Sequence, residues 1–362
     1  MSRNRVITQS EALFVSPSPS TSTGVAGVVT GVQQLHRVQS ANYNFNIPRQ
    51  DIVQFGQLGA ISREIIQPPT VALDFSYYLT NAVNEQRLGF VVDGTSTIIS
   101  GIINGLSDDK NYYLATAPEG SDMNGGDGVT FTDSQVAVEG FGNGFISSYT
   151  AECAVGALPT ARVQVQALNY QVSIGDTGFA VPSVNITNGI PIVATTSLPP
   201  AVSGFATQIT ALRPGDITVD IASGALGFTV SDLKIQRFVL SVPLTRQSLR
   251  KLGTRFDYAK VIQFPINASL TVDALVGDYN SGSLATVLCN DIAYNLAVTL
   301  RAPNCSGAGT IAMVYQLLGA KLDSENGSSQ IGQNKTIAMT FSVPITGPTD
   351  TTHGIFLSGI LT

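Results

Sequence analysis

A chain of 362 residues that is 43% apolar and only 12% charged excludes a disordered polymer and is long enough for more than one core. Its net charge of −6 excludes a protein that grips nucleic-acid phosphates, though not a surface past which a polyanion slides. With 35 Gly, no Trp and many Thr, Ser, Val and Ile, the composition predicts strands and turns, and so uncharged a surface predicts cover by copies or partners.

In chain order, residues 1–30, ending in "SPSPSTSTGVAGVVTG", are predicted to form an arm that orders against a neighbour. The first residues lack the apolar stretch of a signal peptide, and no run approaches the ~18 apolar residues of a membrane span. From Val38, "VQSANYNFNI" alternates Tyr43, Phe45 and Ile47 with Asn42, Asn44 and Asn46, which predicts a half-buried strand. "PRQDIVQFG" (48–56) follows. Ile52 and Phe55 three apart, Pro48 before them and Gly56 after them predict one or two helical turns. Beyond Pro68 and Pro69, Val71, Leu73, Phe75 and Tyr77 mark one face of another strand. Residues 88–106 fit strands or a small helix, 117–129 an exposed loop, and "ARVQVQAL" (161–168) a cleanly alternating strand. The proline-bearing segment 183–226 predicts a linker or insertion, dividing the chain into domains 31–200 and 201–362. In the second, "TRQSLRKLG" (245–253) predicts a short helix capped by Thr245 and carrying Leu249 and Leu252. Near the end, Asp323 to Lys335 read as a long polar loop between two strands.

A shift of 197 residues aligns 38–75 with 235–272 without a gap. It matches Gln39 with Gln236, Arg49 with Arg246, Gln50 with Gln247, Gly56 with Gly253, Ile65 with Ile262, Pro68 with Pro265 and Leu73 with Leu270. Apolar positions keep step: Tyr43/Leu240, Phe45/Val242, Ile47/Leu244, Ile52/Leu249 and Phe55/Leu252. Arg49, Gln50, Gly56, Pro68, Arg246, Gln247, Gly253 and Pro265 thus define a repeat, expected from a duplicated unit.

Chemistry is sparse. There are two histidines, His36 and His353, both expected at the surface, and motifs for a nucleophile elbow or a phosphate loop are absent. Cys153, Cys289 and Cys305 lack metal-ligand spacing and read as reduced thiols. "DMNGGDG" (122–128) places Gly126 where a calcium loop needs a ligand. Asp108-Asp109 reads as a solvated turn, and the basic cluster Arg246, Arg250, Lys251, Arg255 and Lys260 as salt-bridging to acidic neighbours. No catalytic, cofactor-binding or metal-binding residue is predicted, and no enzyme.

The phrases "VQSANYNFNIPRQDIVQFGQLG" and "IQRFVLSVPLTRQSLRKLG", set in a duplicated β-rich chain, resemble those of bacteriophage tail tube proteins. The resemblance implies two tandem, related β-barrel or sandwich domains, each with a short helix. It implies sheets that join across subunits into homotrimeric, pseudo-hexameric rings, which stack into a tube in the virion. Double-stranded DNA would pass through without specific binding, past a lumen made repulsive by the acidic chain, and the other partners would be phage tail proteins. The alternatives are a tail hub, a tail completion protein, a capsid or decoration protein, or a glycan-binding tail-tip protein.

Overall fold

The computed structural model of the chain describes residues 10–17, 31–104, 108–118, 121, 123, 136–174, 178–186, 189–199, 211–222, 233–277, 283–304, 309–347 and 349–361. Apolar alternation governs it, and the molecule is mainly β. The first half contributes β1 (Glu11–Pro17), β2 (Val38–Asn46), β3 (Arg49–Ile52), β4 (Ser62–Ile65), β5 (Thr70–Tyr78), β6 (Asp109–Thr116), β7 (Ala137–Ala154), β8 (Thr160–Ala167) and β9 (Asn169–Ile174). Between β5 and β6 lie the short helices α1 (Val83–Leu88) and α2 (Ser100–Ile103). The second half contributes β10 (Ile217–Ala222), β11 (Leu233–Pro243), β12 (Arg246–Leu249), β13 (Ala259–Ile262), β14 (Ile266–Val276), β15 (Tyr294–Arg301), β16 (Ile311–Ser328), β17 (Thr336–Ile345) and β18 (Gly354–Gly359), with α3 (Leu284–Asn290) between β14 and β15. Two-residue strands fill the region between the halves, where Phe179–Ala180 pairs with Thr195–Thr196 and Val184–Asn185 with Ile190–Pro191.

Each half is a two-layer antiparallel sandwich. In the first, β2-β5-β8 and the C-terminal part of β7 form one layer, and β1-β6, the N-terminal part of β7 and β9 the other. In the second, β11-β14-β17 and the C-terminal part of β16 face β10-β15, the N-terminal part of β16 and β18. The long strands β7 and β16 each serve both layers of their own half. They bend between layers at a bulge, where the register slips between Ile146 and Ser148 and between Leu322 and Ser324.

The correspondence between halves extends to individual pairs. Tyr43 faces Leu73 as Leu240 faces Leu270. Arg49 faces Ile65 as Arg246 faces Ile262. Tyr170 faces Phe141 as Ile355 faces Leu317. Gln39 and Gln236 each occupy a bulge, and each side-chain amide donates to the two preceding carbonyls, at 3.0 and 3.3 Å and at 3.1 and 3.5 Å. The halves join where β11 adds to the outer edge of β7, with Leu240 opposite Ala151 and Val242 opposite Tyr149. An eight-stranded sheet results, in the order β2-β5-β8-β7-β11-β14-β17-β16.

The inner faces fuse into one core that runs through both halves, from Phe75, Tyr112 and Val163 to Leu270, Tyr315 and Phe341. Outside this core, β7 makes a close backbone approach, where a Cβ on Gly142 would meet the Pro182 carbonyl oxygen at 2.1 Å. Both atoms belong to backbone, so Gly142→Ala is expected to cost about 3 kcal/mol, read as a lowered thermal midpoint.

Several expectations are corrected. The segments 48–56 and 245–253 are not helices but parts of the hairpins β3-β4 and β12-β13. Each is too short to nucleate a helix unaided, and the four residues from Arg49 and from Arg246 find strand partners instead. Gly56 and Gly253 do take the left-handed conformation, at φ 84° and 86°, but in the hairpin turns. Glu11–Pro17, within the expected arm, is a buried strand. The strand pairings close no barrel, because β2 and the C-terminal part of β16 each lack an outer neighbour among the described residues. The expected loop from Asp323 to Lys335 is shorter than read: Ser324 to Ser328 extend β16 and pair with β17, and the loop is confined to 329–335. Ile217–Ala222, inside the expected linker, is a sheet strand. The 122–128 loop lies largely outside the described residues.

Candidate functional site

A cavity of about 370 Å³ sets Asp108, Asp109 and Lys260 beside Ile102, Phe145, Ile262 and Phe264, but among the described residues no three His, Cys, Asp or Glu side chains come together. Among the described residues no helix is long and apolar enough to cross a membrane. Two surface features stand out instead: the solvent face of the eight-stranded sheet, and its two ends.

The face arises from strand alternation. In β5, Val71, Leu73, Phe75 and Tyr77 point into the core, leaving Ala72, Asp74, Ser76 and Tyr78 outward. The same rule turns out Gln164 of β8, Thr150 of β7, Ser241 of β11, Ser269 and Thr271 of β14, and Thr340 and Ser342 of β17. Hydroxyls and amides dominate. Most charges of the central strands form cross-strand ion pairs: Arg162 to Asp74 at 2.5 Å, and Arg237 to Glu152 at 3.1 Å and Asp273 at 3.9 Å. With Lys234 of β11 also exposed, three cations stand against three acids on the central strands, so this face is near neutrality. The chain's negative charge is placed elsewhere.

The join between halves shows what an occupied sheet edge looks like. Leu240, Val242 and Leu244 are fully buried there. Arg246, at the start of β12, has a side chain with no solvent exposure. Its Nε donates to the Ile146 carbonyl at 2.9 Å, its Nη1 to the Lys260 carbonyl at 3.2 Å, and its Cζ lies 5.2 Å from the centre of the Phe145 ring. Nη2 meets Asp108 Oδ1 at 2.6 Å, a charge contact off hydrogen-bond alignment. Two members of the basic cluster thus form ion pairs within the chain, Arg246 and, to Asp257 at 2.9 Å, Arg250, while Lys251 lies over the Tyr258 ring. Truncation of Arg246 would strand a part-buried carboxylate and empty the Phe145 stack. Arg246→Ala is expected to lose about 3 kcal/mol in urea unfolding, whereas Arg49→Ala should change the isolated chain by under about 0.5 kcal/mol.

At the free edge of β2 the corresponding positions are open. Tyr43, Phe45 and Ile47 are 39%, 56% and 38% exposed, and Arg49 is exposed too. Their rings are only half accommodated: Tyr43 stacks on Tyr170 at 5.0 Å and Phe45 lies 6.0 Å from it. At the other end Ser324, Glu325, Asn326 and Ser328 of β16 are exposed, whereas Tyr149 and Ala151, at the matching places of β7, are fully buried. Beside the β2 edge, the β3-β4 hairpin carries Phe55 and Leu58 with no cover at its tip, and the second hairpin carries Leu252 likewise.

The eight repeat-defining residues thus fall in two matched groups. Arg49, Gln50 and Gly56 lie in the first hairpin and Arg246, Gln247 and Gly253 in the second, while Pro68 and Pro265 precede β5 and β14. Between them, Arg250 of the second hairpin donates to Gln67 Oε1, beside Pro68, at 3.1 Å. Sequence reasoning missed the ion-paired face and gave no role to Gln39 and Gln236; their identity at one spacing was the available signal for the bulges. His36, expected at the surface, is half-buried: it accepts from Arg87 Nη1 at 2.9 Å, and burial beside Arg87 pushes its pKa down to about 4, so it is neutral.

No family model and no curated protein matches the chain. Among solved structures, it is similar to a chain in the cryo-EM structure of the anti-feeding prophage baseplate. That likeness has a TM-score of 0.27 and 15% identity, and covers 40% of this chain and 93% of the other.

Proposed function

We propose that the chain is a virion structural protein that closes head-to-tail into rings and stacks as a phage tail tube. The carrying observation is the contrast between matched edges. Positions 240, 242 and 244 are sealed by β7, whereas 43, 45 and 47, their counterparts, await a strand. One end of the sheet needs an outer neighbour of the kind the other end provides, so a second copy satisfies both. Such a heterologous contact gives a ring when the rotation closes, and a ring removes the exposed edges. The two halves act as tandem units of one duplicated plan, so three chains present six units.

The near-neutral hydroxyl face fits the bore. It offers DNA no unpaired cation among the central strands and no strong repulsion, so a duplex passes without being held. Electron microscopy of the purified protein at high concentration tests the reading: rings of six lobes with threefold symmetry are expected, and a persistent monomer would refute it. A binding assay with linear duplex at low salt should show no retention.

A further inference from the structure

Resting on that ring reading, we infer that β2 of one copy adds antiparallel to the free edge of β16 of the next in a single register. Tyr43 then stands opposite Gly327, Asn44 opposite Asn326, and Phe45 opposite Glu325.

The register follows from equivalences already fixed inside the chain. Ser148 faces Gln164 just past the β7 bulge, and Ser324 faces Thr340 just past the β16 bulge. Gln164 in turn faces Asp74, and Thr340 faces Thr271, the residue that corresponds to Asp74. The C-terminal part of β16 is therefore the counterpart of that of β7, residue for residue. At the internal joint Leu240 faces Ala151, Ser241 faces Thr150 and Val242 faces Tyr149. Replacing each by its counterpart gives the three intermolecular pairs.

Side-chain size and charge agree with this register. The inward pair Leu240–Ala151 becomes Tyr43–Gly327, a larger ring against a smaller partner, so the filled volume is roughly kept. Asn44 and Asn326 both fall on the solvent face, since they stand beside Ala72 and Ala338, which also face outward. Arg49 occupies the place of Arg246, and acids wait on the receiving side. Asp323 corresponds to the bulged Ser147, and Asp291, 87% exposed and ion-paired to Lys321 at 2.9 Å, lies next to the position that corresponds to Asp108. Arg49 is thereby brought toward Asp323, and this part of the contact weakens with salt.

Paired cysteines in the full chain, with Cys289 and Cys305 changed to Ser, test the register under mild oxidation by diamide. Ser241→Cys with Thr150→Cys serves as the internal control, because that pair is in register within one chain. Asn44→Cys with Asn326→Cys is expected to give disulfide-linked multimers ending at the ring size, at least tenfold above Asn42→Cys with Asn326→Cys. A preference for the 42/326 pair would overturn the register. Rings by microscopy without 44/326 cross-links would overturn the edge contact while leaving the ring reading intact. Absence of both rings and cross-links would overturn the two together.

Discussion

Phe45→Asp is expected to leave the isolated chain folded while abolishing its rings; the matched change Val242→Asp is expected to unfold the chain itself. Both residues occupy the same place in their strands, one facing Val71 and the other Ala268 by equivalent pairing. What differs is cover. Phe45 is 56% exposed and Val242 is fully buried under β7. In the monomer, Asp at position 45 loses a partial ring contact and some strand propensity, about 1 kcal/mol. In a ring the same carboxylate is buried opposite Glu325, and like charges directly across a strand pair add repulsion to desolvation. At position 242 the desolvation falls on folding, at a cost above about 4 kcal/mol. Mass photometry reads the assembly and thermal unfolding reads the fold. Rings that survive Phe45→Asp would show that β2 is not an interface. A folded Val242→Asp chain would show that the two positions are not comparable.

How much of this was legible beforehand depended on whether a signal was local. Alternation in "VALDFSYY" and "ARVQVQAL" marks strands because each turns one face to a core, and those faces are buried as expected. The spacing of 197 was visible because Arg-Gln, Gly and Pro stand at fixed offsets, and the strand pairs with that spacing are matched. The hairpins were misread as helices because an apolar spacing of three over so few residues also suits a strand pair with a long turn. The tips Phe55 and Leu252 are not core contacts but fully exposed. Nothing in the sequence indicated that β7 and β16 serve two layers each, since the bulges that bend them depend on partners far along the chain. The ion pairs of the outer face were hidden for the same reason: Asp74 and Arg162 are neighbours only after β5 and β8 align. The chain is acidic, but its broad sheet face is not.

Glu85→Gln is expected to raise stability at pH 8 by roughly 3 kcal/mol and to flatten the pH dependence between 4.5 and 7. Glu85, in α1, is fully buried, and its Oε1 accepts from Tyr77 at 2.8 Å and Tyr149 at 3.1 Å. Tyr149 in turn shares a 2.5 Å hydrogen bond with Tyr315 of the second half, so this carboxyl ends a polar chain crossing the joint. Oε2 has no partner. Burial pushes the carboxyl up to about 7 from 4.5, against the lowering effect of the two tyrosine hydrogen bonds. The folded state therefore holds its proton over a range where the unfolded chain has released it. The contribution of Glu85 to stability is fullest below pH 4.5, declines as pH rises to 7, and is level above, by about 1.4 kcal/mol per unit of pKa shift. Glutamine keeps an oxygen for the tyrosine hydroxyls and cannot ionise, so the decline should vanish. Urea unfolding of both proteins across this range measures it, and parallel profiles would mean that Glu85 ionises freely in the fold. Because the hydroxyl chain runs from α1 through β7 to β16, an ionised Glu85 acts where the halves meet, and the joint between them loses the stability.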